Sequence, residues 1–357
     1  MKSKINFLIL GLAITVILSG CTLSQSGSKS SKTYDGGIWR STDSGKLWSQ
    51  IVAVPTATGK TATIANVDVR KIIFDPSDSS AIYLTTENNG IIYSYDGGNS
   101  WMQFKKINTG KIYSLAIDPK DKCNLYVVGE NKLFKSTDCG RSWVMTYFHQ
   151  KDNVLMTDVI IDSFNSQVVY MADSIGEIFK STNGGQTWNT IFREPNSNLF
   201  AELVMSPKDS RIIYAATWQK GIYKTVNGGQ SWESLGEGLS SYSNSSEYKK
   251  LIIDKSSPDN LILASKFGIL RSKDAGKSWE IVPILQATGQ TNIYAIVVNP
   301  KNIKEIYYTT ENTLVKSVDG GNSWSSSKLP FARLANVMAI NYDNPTILYI
   351  GTKNPQN

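Results

Sequence analysis

Residues 90–101 read Gly-Ile-Ile-Tyr-Ser-Tyr-Asp-Gly-Gly-Asn-Ser-Trp, and six related stretches occur elsewhere in the chain. Each copy ends in a tryptophan, and the seven closing residues are Trp48, Trp101, Trp143, Trp188, Trp232, Trp279 and Trp324. Neighbouring copies lie about 45 residues apart, a period that is typical of radial repeat architectures. The sequence therefore predicts a ring of similar units.

Each copy begins as a strand and continues as a tight turn. The opening residues, such as Ile91-Ile92-Tyr93, are β-branched or aromatic and suit a pleated, half-buried surface. A short carboxylate or amide in the turn can accept hydrogen bonds from the N–H groups of its own turn. We therefore expect a structural role for the seven residues at this position, which are Asp43, Asp96, Asp138, Asn183, Asn227, Asp274 and Asp319.

Glycine occupies one turn position in all seven copies, as at Gly98, and this predicts a backbone with positive φ. The position before it varies, and its residues are Ser44, Gly97, Cys139, Gly184, Gly228, Ala275 and Gly320. From this variation we expect a weaker conformational constraint at the earlier position.

A second motif recurs between these stretches. In one copy Phe74-Asp75-Pro76 is followed by Ile82-Tyr83-Leu84, which is an apolar strand, a turn and a second apolar strand. This hairpin and the repeated stretch together make four strands, or one propeller blade. Residues 335–351 supply a first hairpin with no later repeat, and residues 37–51 supply a repeat with no earlier hairpin. We predict an all-β, seven-bladed β-propeller over residues 34–357, in which the two ends of the chain share one blade.

The repeat resembles the Asp-box, or BNR repeat, of sialidase-type propellers, sortilin-like receptors, xyloglucanases and the photosystem II stability/assembly factor family. The resemblance covers about residues 35 to 352. In those families the box is a structural hairpin away from the ligand face. The resemblance therefore implies that function belongs to the opposite face, formed by the second-to-third strand loops and the connections between blades.

The N-terminus has the features of an export signal. Lys2 and Lys4 precede the apolar run 7–18, and Leu18-Ser19-Gly20-Cys21 follows. This resembles a bacterial lipobox, which implies a signal peptide at 1–20, lipidation of Cys21, and anchoring to a bacterial membrane at the cell surface or on the periplasmic side. An ordinary cleaved signal or a short anchor helix is the other interpretation. Residues 21–33 are polar, and we expect a flexible tether.

The charge of the chain argues against nucleic acid as a partner. The formal net charge is +7 at neutral pH, and the basic residues form no cluster interleaved with aromatics. The hydrophobic content of 41% suits a folded domain.

Two cysteines are expected to meet. Cys123 lies where the turn after Pro119 enters the second strand, and Cys139 lies in the box turn of the same blade. The first-to-second and third-to-fourth strand turns emerge on the same side of a four-stranded sheet. We predict a disulfide, because export permits oxidation; the other interpretation is two unrelated small residues.

The residues proposed to bind a partner are two aromatics and three arginines. Trp218 and Phe267 lie in predicted top loops, although packing against neighbouring loops is the ordinary role of such residues. The arginines outside the boxes and the bottom turns are Arg70, Arg193 and Arg333. His149 is the only histidine, and we interpret it as a solvated loop residue.

Catalysis has weak support in the sequence. A sialidase-like site needs three clustered arginines, an activated tyrosine and an acid/base aspartate, and no motif supplies them. A pair of carboxylates could cleave a glycan, and the candidates are Asp68, Glu87, Glu130, Asp158, Glu202 and Glu311. No pattern predicts a cofactor or a metal site.

The interpretation that we favour is a non-catalytic, lipid-anchored propeller that binds a protein partner on its top face. The photosystem II assembly factors resemble this chain in size and export, and their members bind a membrane-protein precursor, which implies a scaffold or assembly role. The main alternative is a cell-surface protein that binds or cleaves a glycan, and a third is a purely structural envelope protein.

Overall fold

The computed structural model describes residues 35–57, 59, 62–196, 198–290 and 292–355. The predicted signal peptide at 1–20, the lipidated Cys21 and the tether at 21–33 lie outside the described residues. Within the described ranges, no helix has the length and apolar character needed to span a membrane.

The chain begins with two strands and a short ribbon and then forms regular blades. The first elements are β1 (Ile38–Ser41), β2 (Ser49–Gln50) and the ribbon of β3 (Ala53–Val54) and β4 (Ala62–Thr63). Blade 1 contains β5 (Val69–Asp75), β6 (Asp78–Thr86), β7 (Ile91–Ser94) and β8 (Met102–Gln103). Blade 2 contains β9 (Ser114–Asp118), β10 (Asp121–Gly129), β11 (Lys132–Ser136) and β12 (Val144–Phe148). Blade 3 contains β13 (Met156–Ile161), β14 (Val169–Asp173), β15 (Glu177–Ser181) and β16 (Asn189–Arg193).

The remaining blades follow the same plan. Blade 4 contains β17 (Phe200–Met205), β18 (Ile213–Thr217), β19 (Ile222–Thr225) and β20 (Glu233–Ser234), and the short helix α1 (Gly236–Leu239) follows it. Blade 5 contains β21 (Tyr248–Ile253), β22 (Leu261–Ser265), β23 (Gly268–Ser272) and β24 (Glu280–Val282). Blade 6 contains β25 (Ala295–Asn299), β26 (Asn302–Thr309), β27 (Thr313–Ser317) and β28 (Ser325–Lys328). The last strands are β29 (Leu334–Ile340) and β30 (Leu348–Lys353).

The two ends of the described chain share blade 7, whose strand order is β2-β1-β30-β29. Ile38 pairs with Gly351 and Ser41 pairs with Leu348 across the joint. The first strands of neighbouring blades contact one another all round the ring, including β29 with β5. The prediction of a seven-bladed ring closed by both termini is confirmed, and closure leaves no long unpaired inner edge.

The hydrophobic core lies between the blades. Each sheet packs against a neighbour on both of its faces, so alternation of apolar and polar residues is lost on the inner strands. All residues of β9, β14 and β22 are buried, for example. Because both faces of these strands are covered, their sequences are near-continuous apolar runs and do not alternate.

The box turns are closed by side chains of the turn itself. In blade 2 the Ser136 hydroxyl donates to Asp138 Oδ1 (2.8 Å) and accepts the N–H of Gly140 (2.8 Å). Asp138 Oδ1 also accepts the N–H of Ser142 (2.8 Å), and the indole N–H of Trp143 donates to the Gly140 carbonyl (3.1 Å). The Asp138 pKa falls to about 2, chiefly because Ser142 donates hydrogen bonds to the carboxylate. The box is thus a hydrogen-bonded frame for the turn.

The prediction of a weak constraint before the second box glycine is wrong. All seven residues at this position have positive φ, which lies between 58° at Cys139 and 81° at Gly320. Ser44, Cys139 and Ala275 therefore adopt a left-handed conformation that costs a non-glycine residue about 1–2 kcal/mol. The side chain varies at this position, but the backbone conformation does not.

Blade 2 also contains a disulfide between Cys123 and Cys139, which are 16 residues apart. The bond joins the first residues of β10 to the box turn, and the Cys139 N–H donates to the Cys123 carbonyl (3.2 Å) beside it. It therefore lies on the bottom face, with the box turns.

Candidate functional site

The top face is defined here as the end of the ring opposite the box turns. It consists of the turns between the second and third strands of each blade and the connections from one blade to the next. The box side chains are occupied by structural hydrogen bonds, as Asp96 and Asp138 show, and are not free to bind a ligand.

Three cations surround one carboxylate at the junction of blades 7, 1 and 2. Glu87 accepts Arg70 at 2.7 Å and Lys111 at 3.0 Å, and Lys353 lies 3.5 Å from the same carboxylate. Burial raises the pKa of Glu87, but Lys111 and Arg70 outweigh it and the pKa is lowered overall. We call Glu87, Arg70, Lys111 and Lys353 the Glu87 cluster, which carries more positive than negative charge.

An aromatic ring completes this cluster. The Arg70 guanidinium carbon lies 4.8 Å from the centroid of the Tyr113 ring, and Lys111 Nζ lies 5.5 Å from it. A cation over an aromatic face is held by the ring quadrupole. Tyr113 thus fixes both cations while their side chains stay partly open to solvent, 27% for Arg70 and 41% for Lys111.

Arg333 lies in the same region but has a different environment. Its guanidinium pairs with Asp68 at 3.0 Å and approaches Asp35 at 3.9 Å. Asp68 also accepts the N–H of Asn354 (2.8 Å), so the pair ties the last blade to the start of β5. With its side chain only 17% exposed, Arg333 positions chain segments more than it presents charge to a ligand.

The carboxylates of the first strands are paired with cations. Lys71 contacts Asp158 at 2.7 Å and Ser114 at 3.2 Å, while Glu202 accepts from Lys250 and from the Tyr248 hydroxyl. In four blades the register between the first and second strands shifts near the start of the first strand. The charged residue directly after this shift is Lys71, Asp158, Glu202 or Lys250. The ion pairs neutralise the groups that the sequence offered as a catalytic pair.

The other two candidate carboxylates, Glu130 and Glu311, do not form a catalytic carboxylate pair either. Glu130 lies 3.6 Å from Lys132, and Glu311 is exposed. The pKa of Glu87 is lowered, whereas a glycosidic general acid uses a raised pKa.

Trp218 is an exposed aromatic residue of the top face. It follows β18, and its side chain is half exposed, at 50%. The main-chain N–H of Trp218 donates to the Leu199 carbonyl (3.0 Å), and the main-chain carbonyl of Trp218 accepts the N–H of Tyr248 (3.3 Å). The Trp218 backbone is therefore fixed on both sides. Lys249 Nζ lies 5.7 Å from its ring centroid. An aromatic ring with a cation beside it suits a flat or negatively charged ligand group.

Two residues expected to bind a partner do not join this surface. Phe267 is buried, and its ring packs edge-on against Tyr242 at 5.3 Å, so the expectation of a second surface aromatic is wrong. Arg193 is exposed, but it ends the outermost strand of blade 3 and pairs with Glu177 at 2.6 Å. Arg333 pairs with Asp68, which lies two residues before Arg70 at the start of blade 1, whereas Arg193 lies in blade 3.

Sequence reasoning missed the lysines and the tyrosine of this surface. Lys111, Lys353 and Lys249 are ordinary loop and strand-end lysines in the sequence, and no motif distinguishes them. The sequence contains one weak indication of Tyr113. It directly precedes β9, and Arg70 and Lys249 occupy the equivalent position near the start of the first strand in their own blades.

Comparison with known proteins gives similarities to both binding and catalytic propellers. The curated xyloglucanase Xgh74A of Acetivibrio thermocellus is 28% identical over 194 residues, which is 44% of this chain and only 22% of the xyloglucanase. The GH74 enzyme of Niastella koreensis has a TM-score of 0.63 at 18% identity, over 80% of this chain and 51% of that one. The structure of YCF48 bound to a D1 peptide has a TM-score of 0.62 at 16% identity, over 85% and 96% of the two chains.

The TM-scores show that the two solved structures share the fold with this chain. Their sequence identities are too low to show more than the fold. The chain spans about half the length of the GH74 enzyme and less than a quarter of the xyloglucanase. One family, described as sortilin and neurotensin receptor 3, matches residues 36–147 and 131–266. These two ranges together cover more than half of the sequence, and the chain therefore belongs to the Sortilin-Vps10 family.

Proposed function

We propose that this chain is a non-catalytic, lipid-anchored extracytoplasmic propeller whose top face binds a protein segment at the membrane surface. The role is that of a scaffold or assembly factor. The recognition surface consists of the Glu87 cluster on one part of the rim and Trp218 with Lys249 on another.

The Glu87 cluster is the observation that carries this proposal. Three cations share a single carboxylate, and a tyrosine ring holds two of them in place. Because the cations are preorganised and partly exposed, a negatively charged group of a partner can bind them with little loss of side-chain entropy. Cations paired with buried carboxylates suit electrostatic recognition better than glycoside hydrolysis, which needs two free carboxyl groups.

Two of the comparisons support a binding role. The family description names a receptor, and one structural neighbour was solved with a bound peptide. The similarity to YCF48 extends over nearly the whole of that protein. The GH74 enzyme, in contrast, contains a further half that this chain does not match.

Membrane anchoring rests on the residues at Leu18-Ser19-Gly20-Cys21. If Cys21 is lipidated, a Cys21→Ser variant will leave the membrane fraction and lose incorporation of labelled fatty acid. Unchanged fractionation of the variant would refute the anchor without bearing on the binding surface.

The binding role is tested by cross-linking in membranes that contain the full chain. We expect one membrane protein to be enriched with the wild type and lost with a variant that combines Arg70→Gln, Lys111→Gln and Trp218→Ala. Arg193→Gln is the matched control, since it removes an exposed arginine outside the surface. Loss of the partner in the control as well, or its retention in the triple variant, would contradict the proposed site.

Glycan binding is the second candidate, favoured by the half-exposed Trp218 and by the similarity to a xyloglucanase. Aromatic rings stack on sugar faces without any need for nearby charge. Purified protein on a glycan array distinguishes the two roles, because sugar binding should depend on Trp218 and be insensitive to Arg70→Gln.

A further inference from the structure

His149, Asp173 and Glu177 come together on the top face between blades 2 and 3. His149 directly follows β12, Asp173 ends β14, and Glu177 begins β15. One donor atom from each residue lies within 4.8 Å of the others. Arg193, whose Nε contacts Glu177 at 2.6 Å, and the half-buried Tyr147 lie at the edge of this group.

Asp173 holds an oxygen that nothing in the described part of the protein satisfies. Its side chain is fully buried, and Oδ1 accepts the N–H groups of Ile175 (3.0 Å) and Glu177 (2.8 Å). Oδ2 is also buried, and no donor among the described residues reaches it. Buried polar atoms nearly always have a partner, and an ordered water or a cation would supply it for this oxygen.

The main chain and the Nδ1 atom of His149 are held by neighbouring residues. Its main chain exchanges hydrogen bonds with Asn131, through the His149 N–H (2.9 Å) and the Asn131 side-chain amide (3.1 Å). Nδ1 lies 3.1 Å from the N–H of Lys151 and 3.4 Å from its carbonyl. The shorter contact, in which the Lys151 N–H donates to Nδ1, belongs to the tautomer with its proton on Nε2. A cation at Nε2 requires the other tautomer, in which Nδ1 donates to the Lys151 carbonyl and Nε2 carries a free lone pair.

We propose that His149, Asp173 and Glu177 form a binding site for a zinc-class divalent cation. An imidazole nitrogen with two carboxylate oxygens matches zinc and its borderline neighbours, whereas calcium and magnesium take oxygen ligands. Bonds of about 2.1 Å require donor atoms closer together than 4.8 Å. The Glu177 side chain closes this gap by turning away from Arg193 towards the ion.

Isothermal titration of the full chain in detergent with zinc chloride tests the proposal. We expect one equivalent to bind with Kd below about 10 µM, and His149→Ala to weaken binding at least about tenfold. Asp173→Asn should abolish binding while keeping the fold, since the amide oxygen still accepts both N–H groups. Calcium chloride should bind far more weakly than zinc chloride.

Two further variants separate a built site from general surface affinity. Arg193→Gln should tighten zinc binding, because it removes the cation that competes for Glu177. Glu130→Gln removes a neighbouring exposed carboxylate and should leave the affinity unchanged. Failure of the wild type to bind zinc, or equal affinity in the His149→Ala variant, would overturn the proposal.

Discussion

The hydroxyl of Tyr126 in blade 2 donates a 2.8 Å hydrogen bond to the carbonyl of Gly184 in the box turn of blade 3, and Lys135 Nζ donates to the same oxygen at 2.9 Å. Tyr170 and Lys180 do the same to Gly228 of blade 4, and Tyr349 and Arg40 to Gly97 of blade 1. In these three pairs, neighbouring blades are therefore joined through the carbonyl of the box-turn residue that has positive φ.

Removing one of the two donors should have a modest effect on stability. Tyr126→Phe leaves Lys135 on the Gly184 carbonyl, so we expect a loss of about 1 kcal/mol in the free energy of unfolding. Urea denaturation measures it. The double variant with Lys135→Met should lose more than the sum of the single variants, because the carbonyl then has no donor. Strict additivity would mean that the two donors do not act on one acceptor.

Replacing Ala275 with glycine should stabilise the protein. Ala275 has a φ of 59°, and glycine adopts this conformation without strain, while the backbone carbonyl that receives Tyr214 is kept. After the entropic cost of glycine, we expect a gain of about 0.5–1 kcal/mol in the free energy of unfolding. Ala264→Gly, in the buried strand β22, is the contrasting control and should destabilise. A loss of stability in Ala275→Gly would show that the side chain contributes more than the strain.

The architecture could be predicted from the sequence because each blade repeats a local pattern, and the incomplete patterns at 37–51 and 335–351 complement each other. The constraint at Ser44, Cys139 and Ala275 could not, since it is expressed in φ and not in residue type. A tight turn that is held from outside can force a left-handed conformation on alanine, and only the backbone reveals this.

The candidate site was less accessible to sequence reasoning for a geometric reason. Arg333 lies far from Asp68 in the chain and reaches it only because the ring closes between β29 and β5. Phe267 has the flanking residues of a surface loop, yet Tyr242, from the connection after α1, covers its ring. His149 has no nearby ligand in the sequence, and blade packing supplies Asp173 and Glu177.

Loss of the disulfide should weaken blade 2. The bond between Cys123 and Cys139 closes a 16-residue separation, for which the chain-entropy treatment gives about 3 kcal/mol. We expect this difference between oxidised protein and a Cys123→Ser/Cys139→Ser variant in urea denaturation. Cys123→Ser/Cys139→Gly should lose less, because glycine relieves the positive φ at position 139. Equal stability of oxidised protein and the double serine variant would be inconsistent with this contribution.

Trp218 and Phe267 should respond oppositely to truncation. Phe267 is buried against Tyr242, so Phe267→Ala should cost about 3 kcal/mol in the free energy of unfolding. Trp218→Ala should change stability by no more than about 0.5 kcal/mol, because half of the side chain is already in solvent. Denaturation curves of the two variants decide this, and a large loss in Trp218→Ala would identify the ring as a packing residue and weaken its assignment to the binding surface.

Acid should destabilise the aspartate boxes and spare the asparagine boxes. Hydrogen bonds from Ser142 lower the pKa of Asp138 to about 2, below the unfolded value near 4. The carboxylate therefore contributes stability that is complete above about pH 4 and is lost as the pH falls towards about 2. Asn183 holds the same turn without titrating, since its Oδ1 accepts the Thr187 N–H (2.9 Å) and its Nδ2 donates to the Thr187 hydroxyl (2.8 Å). Asp138→Asn should flatten the dependence of urea midpoints on pH between 4 and 2, and Asn183→Asp should steepen it, whereas parallel curves for all three proteins would exclude the box carboxylates as the acid-sensitive groups.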